Sequence, residues 1–254
     1  MNTQSRTKPA ALPRIRLGNG CSARNLPLAL ADQHRALPVG RVVRAVLKPR
    51  PTRGWDSQLA VDLAIGAGFA SIGPVLYRKE AAYLTLERLY SLSDTVGSGM
   101  KLLVVGLNPS PYSADTGIGY ARPGNRFWPA VLQAGIASID RDPRHALRYH
   151  GLGMTDLVRR TTRRADQVSI KEYQVGFARV ARLVQWLAPR AVCFVGLGGW
   201  RNIVDAKAKA GIQASQVGCR PVYLMPHTSG LNAHARLEDL AQHFACAASL
   251  AMRS

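Results

Sequence analysis

Two short stretches concentrate the residues able to do chemistry. In "GLNPSPYSADTGIGYARPGNRFW" (106–128), Asn108 follows the apolar run "KLLVV" directly and precedes Pro109, which stiffens the turn. An amide fixed at a strand end can hold a water molecule, yet it is not itself a nucleophile. Tyr120, further along, offers a flat face for stacking, and Ser110 and Ser113 offer small hydroxyls for phosphate or base contact. Arg122 and Arg126 bracket "PGN" and add positive charge. In "MPHTSGLNAH" (225–234), His227 follows a strand and Pro226 and is suited to stabilising negative charge on a carbonyl oxygen. Ser229 is a phosphate contact by type, and Leu231 is an apolar residue isolated between Gly230 and Asn232, as a wedge would be.

Removing a base from DNA requires this combination. The base leaves the stack for a pocket, a wedge fills the gap, and phosphates on either side are gripped. Each residue alone is weak: Asn-Pro is a common turn former, and a histidine in a turn is commonly a surface residue. Phe127 and Trp128 read as core of the following helix rather than as ligand platforms.

The chain has 254 residues, 34 basic and 15 acidic, for a formal net charge of +19. The excess runs through the whole length, with 14 Lys and Arg against 6 Asp and Glu in residues 1–100. Such a balance points to a polyanionic partner, nucleic acid before membrane. Hydrophobic residues make up 47%, so the bulk is globular. Cys21, Cys193, Cys219 and Cys246 show no C-x-x-C spacing, which argues against a zinc site and predicts free buried thiols in a reducing cytosol. There is no apolar run long enough to span a bilayer and no secretory h-region. The chain is therefore expected in the cytoplasm, associated with the nucleoid through DNA.

The elements that must position these loops follow from periodicity. Residues 1–38 read as a basic flexible tail and 39–98 as a small accessory α+β module. Within the module, "GRVVRAVLKPR" (40–50) reads as a strand and "DSQLAVDLAIGAGF" (56–69) as a helix. "SIGPVLYR" and "AYLTLERLY" read as two strands, or a strand and a short helix, in a βαβ-like piece. From residue 99 onward the apolar runs "KLLVVGL", "RAVCFVGLGG" and "CRPVYLMPHTSGL" read as buried parallel strands alternating with helices. "GLGMTDLV" reads as a strand running into a loop. Ser169 with Glu172 predicts a capping box opening a helix over 170–188, closed by Pro189. "WRNIVDAKAKAG" and "AHARLEDLAQHFACAASLAMR" read as helices. The expected architecture is an α/β three-layer sandwich, a central mainly parallel sheet flanked by helices. Its sites would lie beyond the carboxyl ends of the strands, where "GLNPS", "VGLGG" and "MPHTSGL" gather.

The first loop resembles the opening motif of the mismatch-specific uracil-DNA glycosylase and thymine-DNA glycosylase family, G-[IL]-N-P-G followed by P-[AG]-N-R-F-W. "GMTDLVRRTTRRADQVS" resembles that family's G-[IV]-T-x-L-V-x-R-x-T-x-x-A stretch, and "MPHTSGLNAHARL" is similar to its N-P-S-G-L loop. The match covers roughly residues 100–250. By position, the resemblance implies that Asn108 orients the hydrolytic water and Leu107 offers its backbone amide to the base. It implies that Tyr120 stacks on the base and that Leu231, beside Gly230, intercalates. It implies a monofunctional hydrolase acting on uracil or a mismatched or damaged base in double-stranded DNA, working as a monomer with no metal or organic cofactor.

The departures are informative. His227 and Thr228 replace Asn and Pro of the second motif, and Ser110 replaces a Gly of the first. A histidine there is similar to the H-P-S loop of classical uracil-DNA glycosylases, so Asn108 and His227 are the two candidate catalytic residues. Ala233 stands where the family often has an arginine that reads the opposing guanine, with His234 and Arg236 as neighbouring cations. "VGLGG" brings no Asn to read a uracil edge. "RRTTRR" (159–164) reads equally as a phosphate grip or a solvated basic loop. The rival to an enzyme is a non-catalytic damage-sensing module that flips bases without hydrolysing them. A small-molecule nucleotide hydrolase fits the charge and Leu231 poorly.

Overall fold

The structure is a computed structural model that describes residues 12–230, 232 and 235–253. Two sheets organise it. The amino-terminal sheet contains β1 (Arg14–Leu17), β2 (Val42–Leu47), β3 (Phe69–Arg78) and β4 (Ala81–Arg88), in spatial order β1-β2-β4-β3. Helix α1 (Leu26–Ala36) joins β1 to its parallel neighbour β2, and α2 (Ser57–Gly66) joins β2 to β3. The hairpin strand β4 inserts antiparallel between β2 and β3.

The second sheet, in order β6-β5-β7-β9-β8, is parallel except for the two-residue edge strand β8 (Gly211–Ile212). Its other strands are β5 (Leu102–Gly106), β6 (Leu152–Asp156), β7 (Ala191–Val195) and β9 (Val222–Met225), all buried along their length. Continuous burial of Val, Leu, Met and Phe is what a parallel sheet covered on both faces requires. Helices α3 (Pro111–Thr116), α4 (Phe127–Gln133) and α5 (Pro143–His145, continued by a π turn through Ala146–His150) follow β5. Then come α6 (Ile170–Leu187), α7 (Leu197–Ile203) and α8 (Leu237–Met252). One apolar cluster joins the inner face of the first sheet, α1, α2 and α6 to one face of the second sheet. A second cluster packs α4 and α8, through Phe127, Trp128 and Phe244, on its other face. The α/β layered class expected from the sequence is the one found.

Local signals explain several element ends. Ser169 accepts from the Glu172 amide while the Glu172 carboxylate accepts from the Ser169 amide, so the capping box opens α6 as its spacing demands. Phe127 and Trp128 are fully buried, as core residues.

Elsewhere the structure departs from expectation. Residues 12–38 are not a tail, because β1 completes the sheet and Leu26 and Leu30 of α1 enter the core. The partner of "RIRL" lies thirty residues downstream (Arg14 pairs with Arg44), so no local pattern announces the strand. Of the two readings left open for 71–90, the structure takes the two strands, paired as a hairpin. Helix α7 begins on the glycines of "VGLGG" and ends at Ile203, short of the predicted span. Of the four cysteines, which are all free, Cys193 is buried while Cys21 and Cys219 are exposed.

Candidate active site

Strand β5 delivers Leu107 and Asn108 at its carboxyl end. The Asn108 side-chain nitrogen donates to Thr162 Oγ1 at 2.7 Å, to the Arg160 carbonyl at 3.2 Å and to the Pro109 carbonyl at 3.3 Å. Thr162 is itself buried, and its hydroxyl donates to the Arg164 carbonyl at 2.8 Å. With its nitrogen committed to three oxygens, the Asn108 amide is held in one orientation and its carbonyl oxygen Oδ1 is left to accept from a ligand. The Leu107 amide donates to no backbone group among the described residues, while the Leu107 carbonyl accepts from Val158 at 2.8 Å.

Ser110 and Ser113 also have a local role, at the start of a short helix. Residues 111–116 are helical, with Ser110 as N-cap accepting from the Ser113 amide at 3.2 Å and donating to the Ser113 hydroxyl at 3.2 Å. Pro111 at the first helical position and left-handed Gly117 at the end complete a short helix. Both hydroxyls take part in this cap, and the Ser113 O–H is left to donate.

Tyr120 lies against the core. Its ring stacks on Phe127, with centroids 4.0 Å apart and planes 7° from parallel, so one face is already occupied. Its backbone is left-handed, at φ 59°. Its hydroxyl is buried without a hydrogen-bond partner, and burial followed by the charge of Asp156 holds it well above the ordinary tyrosine range. Gly106 makes room for this arrangement: a side chain there would overlap both the Asp156 carboxylate and the Tyr120 hydroxyl. A cavity of about 20 Å³ beside Tyr120, Asp156 and Arg159 has room for about one water, which suits the orphaned hydroxyl but not a base.

The second loop is tied to the first. Arg126 donates from its backbone to the Thr228 carbonyl at 2.9 Å. Its guanidinium reaches three more carbonyls, Ser229 at 3.1 Å, Asn232 at 2.6 Å, and Ala235. Arg126 therefore clamps loop to loop, while Arg122 stays exposed. Asn232 adds a bond from its side chain to the His227 carbonyl at 2.8 Å. Gly230 passes so close to Gly124 that a Cβ would lie 2.9 Å from the Gly124 carbonyl, which leaves glycine as the residue that fits. The His227 side chain is exposed, and its Cβ lies beside Gly196 at the end of β7. Partial burial and the Arg126 charge lower its pKa, so the imidazole is neutral at neutral pH. Leu231, Ala233 and His234 lie outside the described residues.

A buried ionic cluster beneath the loops escapes sequence reasoning. Asp94 accepts from Arg159 at 2.8 Å, from Arg179 at 2.9 Å and from Thr155 at 2.7 Å. Arg179 also donates to Thr155 and to the Asp156 carbonyl, both at 2.9 Å. Asp156 sits beside this cluster, 3.9 Å from Arg159. Burial raises its pKa to about 6, the nearby Asp94 adding to the rise against the two arginines. Two arginines of the stretch that reads equally as a phosphate grip or a solvated loop, Arg159 and Arg160, are thus engaged, the second with Glu172 at 2.7 Å. The signal available in sequence was an Asp following Thr at a strand end; its partners were out of view.

The profile of the family described as the Uracil DNA glycosylase superfamily matches residues 94–248. The chain belongs to that superfamily. Asp94, at the head of the match, is the residue that ties β6 and α6 together, and membership supports a DNA glycosylase role. The fold is similar, at 17% identity and a TM-score of 0.45, to a solution structure from Methanosarcina acetivorans described as a candidate uracil DNA glycosylase. The alignment covers 63% of this chain and 96% of that one.

Proposed function

We propose that this chain excises uracil, or a related damaged or mismatched base, from DNA by hydrolysing the N-glycosidic bond, leaving an abasic site. The reading places it near the mismatch-specific and thymine-specific branch that its motifs resemble. The observation that carries it is the immobilised Asn108 amide, whose nitrogen is held by Thr162 and two carbonyls and whose oxygen is left for a water. In this mechanism a water donates to Asn108 Oδ1 and directs its lone pair at C1′ of the sugar. The C1′–N bond breaks, the C1′–O bond forms, and the base departs as an anion while the water's proton passes to solvent or to the base. Asn108 takes no proton; its contribution is position. A neutral His227 donates its ring N–H to the base carbonyl as negative charge develops there. Neither loop contains a lysine, which favours direct hydrolysis over a Schiff base. Leu107 presents its amide to the base and Tyr120 its open face, while Leu231 fills the vacated stack and Arg122 and Ser229 flank phosphates.

The test is cleavage of end-labelled oligonucleotides bearing uracil opposite G, opposite A and in single strand, followed by alkali. Asn108→Ala should slow single-turnover cleavage about a hundredfold or more while binding persists. His227→Ala should slow base release and spare binding. Binding of every substrate by wild type without a cut would replace this reading with the damage sensor.

A further inference from the structure

Among the described residues, one face of the amino-terminal sheet is left uncovered. Val43, Ala45, Leu47, Ala82, Leu84 and Leu86 point into the core against α1 and α2. The alternate residues point outward. Strand register places them in two rows: Arg14, Arg44, Thr85 and Ile72 in one, Arg16, Val46, Tyr83 and Leu76 in the next. Ile72 is 42% exposed, Leu76 44% and Tyr83 41%, a contiguous apolar and aromatic strip beside three exposed arginines. The guanidinium groups of Arg14, Arg16 and Arg44 make no hydrogen bond or ion pair among the described residues. Arg14 and Arg44 are direct cross-strand neighbours, a like-charge pairing that costs stability unless an anion sits over it. Glu87, opposite Val42, is the acidic residue among those of the four strands.

We propose that this open face is a second nucleic-acid surface that binds a single strand, with bases stacked on Tyr83 and its apolar neighbours and phosphates on Arg14, Arg16 and Arg44. Alternate residues on a strand lie about 7 Å apart, so Arg14 and Arg16 step along β1 at a spacing close to that of consecutive phosphates in an extended strand. Neighbouring strands are about 5 Å apart, which sets Tyr83 on β4 about 5 Å across the sheet from the Arg44 strand and about 10 Å from the Arg14 and Arg16 strand. An exposed ring on a flat sheet reaches the face of an unpaired base and is blocked from one stacked in a duplex. Three cations without an acidic partner favour a polyanion over a second copy of a chain whose net charge is +19. This surface is independent of Asn108 and of the glycosylase reading.

The test uses the full chain and fluorescent oligonucleotides without any damaged base: (dT)20, (rU)20 and a 20-base-pair duplex, titrated across a salt series. R14Q/R16Q/R44Q should weaken (dT)20 binding at least tenfold and reduce the salt slope by about 2, at roughly 0.7 per lost phosphate contact. Tyr83→Ala should weaken it about fivefold or more, with Tyr83→Phe retaining affinity. R14K/R16K/R44K keeps the charge and should keep most of the binding, separating lost contacts from lost folding. Relative affinity for (rU)20 identifies which sugar the surface accepts. Unchanged (dT)20 affinity in both the glutamine triple and Tyr83→Ala overturns the proposal. Equal losses on duplex and single strand with Tyr83→Ala silent also overturn it, leaving a diffuse positive field. So does loss of binding to phosphatidylserine vesicles with (dT)20 binding intact, which would make the face a membrane contact.

Discussion

The two sheets use opposite parts of themselves. The parallel sheet is buried on both faces and can present chemistry at its strand ends, where β5 and β9 release the Asn108 and His227 loops. The mixed sheet is covered on one face, and its open face displays side chains in register, Arg14 beside Arg44 and Val46 beside Tyr83. Strand ends give a few residues fixed by long-range contacts, suited to one reacting bond. An open face gives repeated residues at lattice spacing, suited to a polymer. The difference also appears in partnering: Arg159 and Arg179 of the first region are buried on Asp94, while Arg14, Arg16 and Arg44 of the second meet no carboxylate among the described residues.

The strongest way to break this contrast is at the joint between the regions. Asp94→Ala leaves Arg159 and Arg179 buried without their shared carboxylate, and is expected to cost about 3–5 kcal/mol, read as a shift in the urea midpoint. A loss under 1 kcal/mol would mean that the cluster is wet. Next is Arg126→Ala, which frees the second loop from three carbonyls. A cost of about 1–3 kcal/mol is expected, together with faster amide exchange at residues 227–230 and 232. Arg126→Lys, a point charge without the fork, should restore little of it.

Asp156 provides a pH axis. Its folded pKa of about 6 lies above the ordinary carboxylate value, so the folded state favours the neutral acid. Its contribution is complete below about pH 4 and is lost as pH rises through 6. Asp156→Asn should therefore be more stable than wild type at pH 8, by about 1–3 kcal/mol, and should flatten the stability profile between pH 4 and 6. Thermal melts across that range decide it, and a variant parallel to wild type would place the proton elsewhere. The smallest effect is expected on the open face: R14Q/R16Q/R44Q should change stability by less than about 0.5 kcal/mol in calorimetry, with any gain largest at low salt.

Much of the parallel sheet was legible because its signals are local. Apolar runs ending in glycine mark the buried strands, and Ser169 and Glu172, three residues apart, announce the start of α6. Ser110 and Ser113 show the same spacing, and with Pro111 between them they open a short helix. The hairpin of β3 and β4 was ambiguous because the register slips between Ile72 and Leu76, which blurs the two-residue period.

By itself the sequence determined that Asn108 stands at the end of a buried strand, that Phe127 and Trp128 are core, and that the chain carries a motif series of its superfamily. These depend on residue type and on neighbours within one turn. The tertiary structure decided what holds each functional group. Thr162, which fixes Asn108, is 54 residues away; Asn232, clamped by Arg126, is 106; Asp94, on which Arg179 rests, is 85 from it. It also decided that "RIRL" is a strand with Arg14 against Arg44. Partners so distant leave no periodicity in the chain, because hydrogen bonds and buried charges select by geometry in space, and that geometry exists once the sheets have assembled.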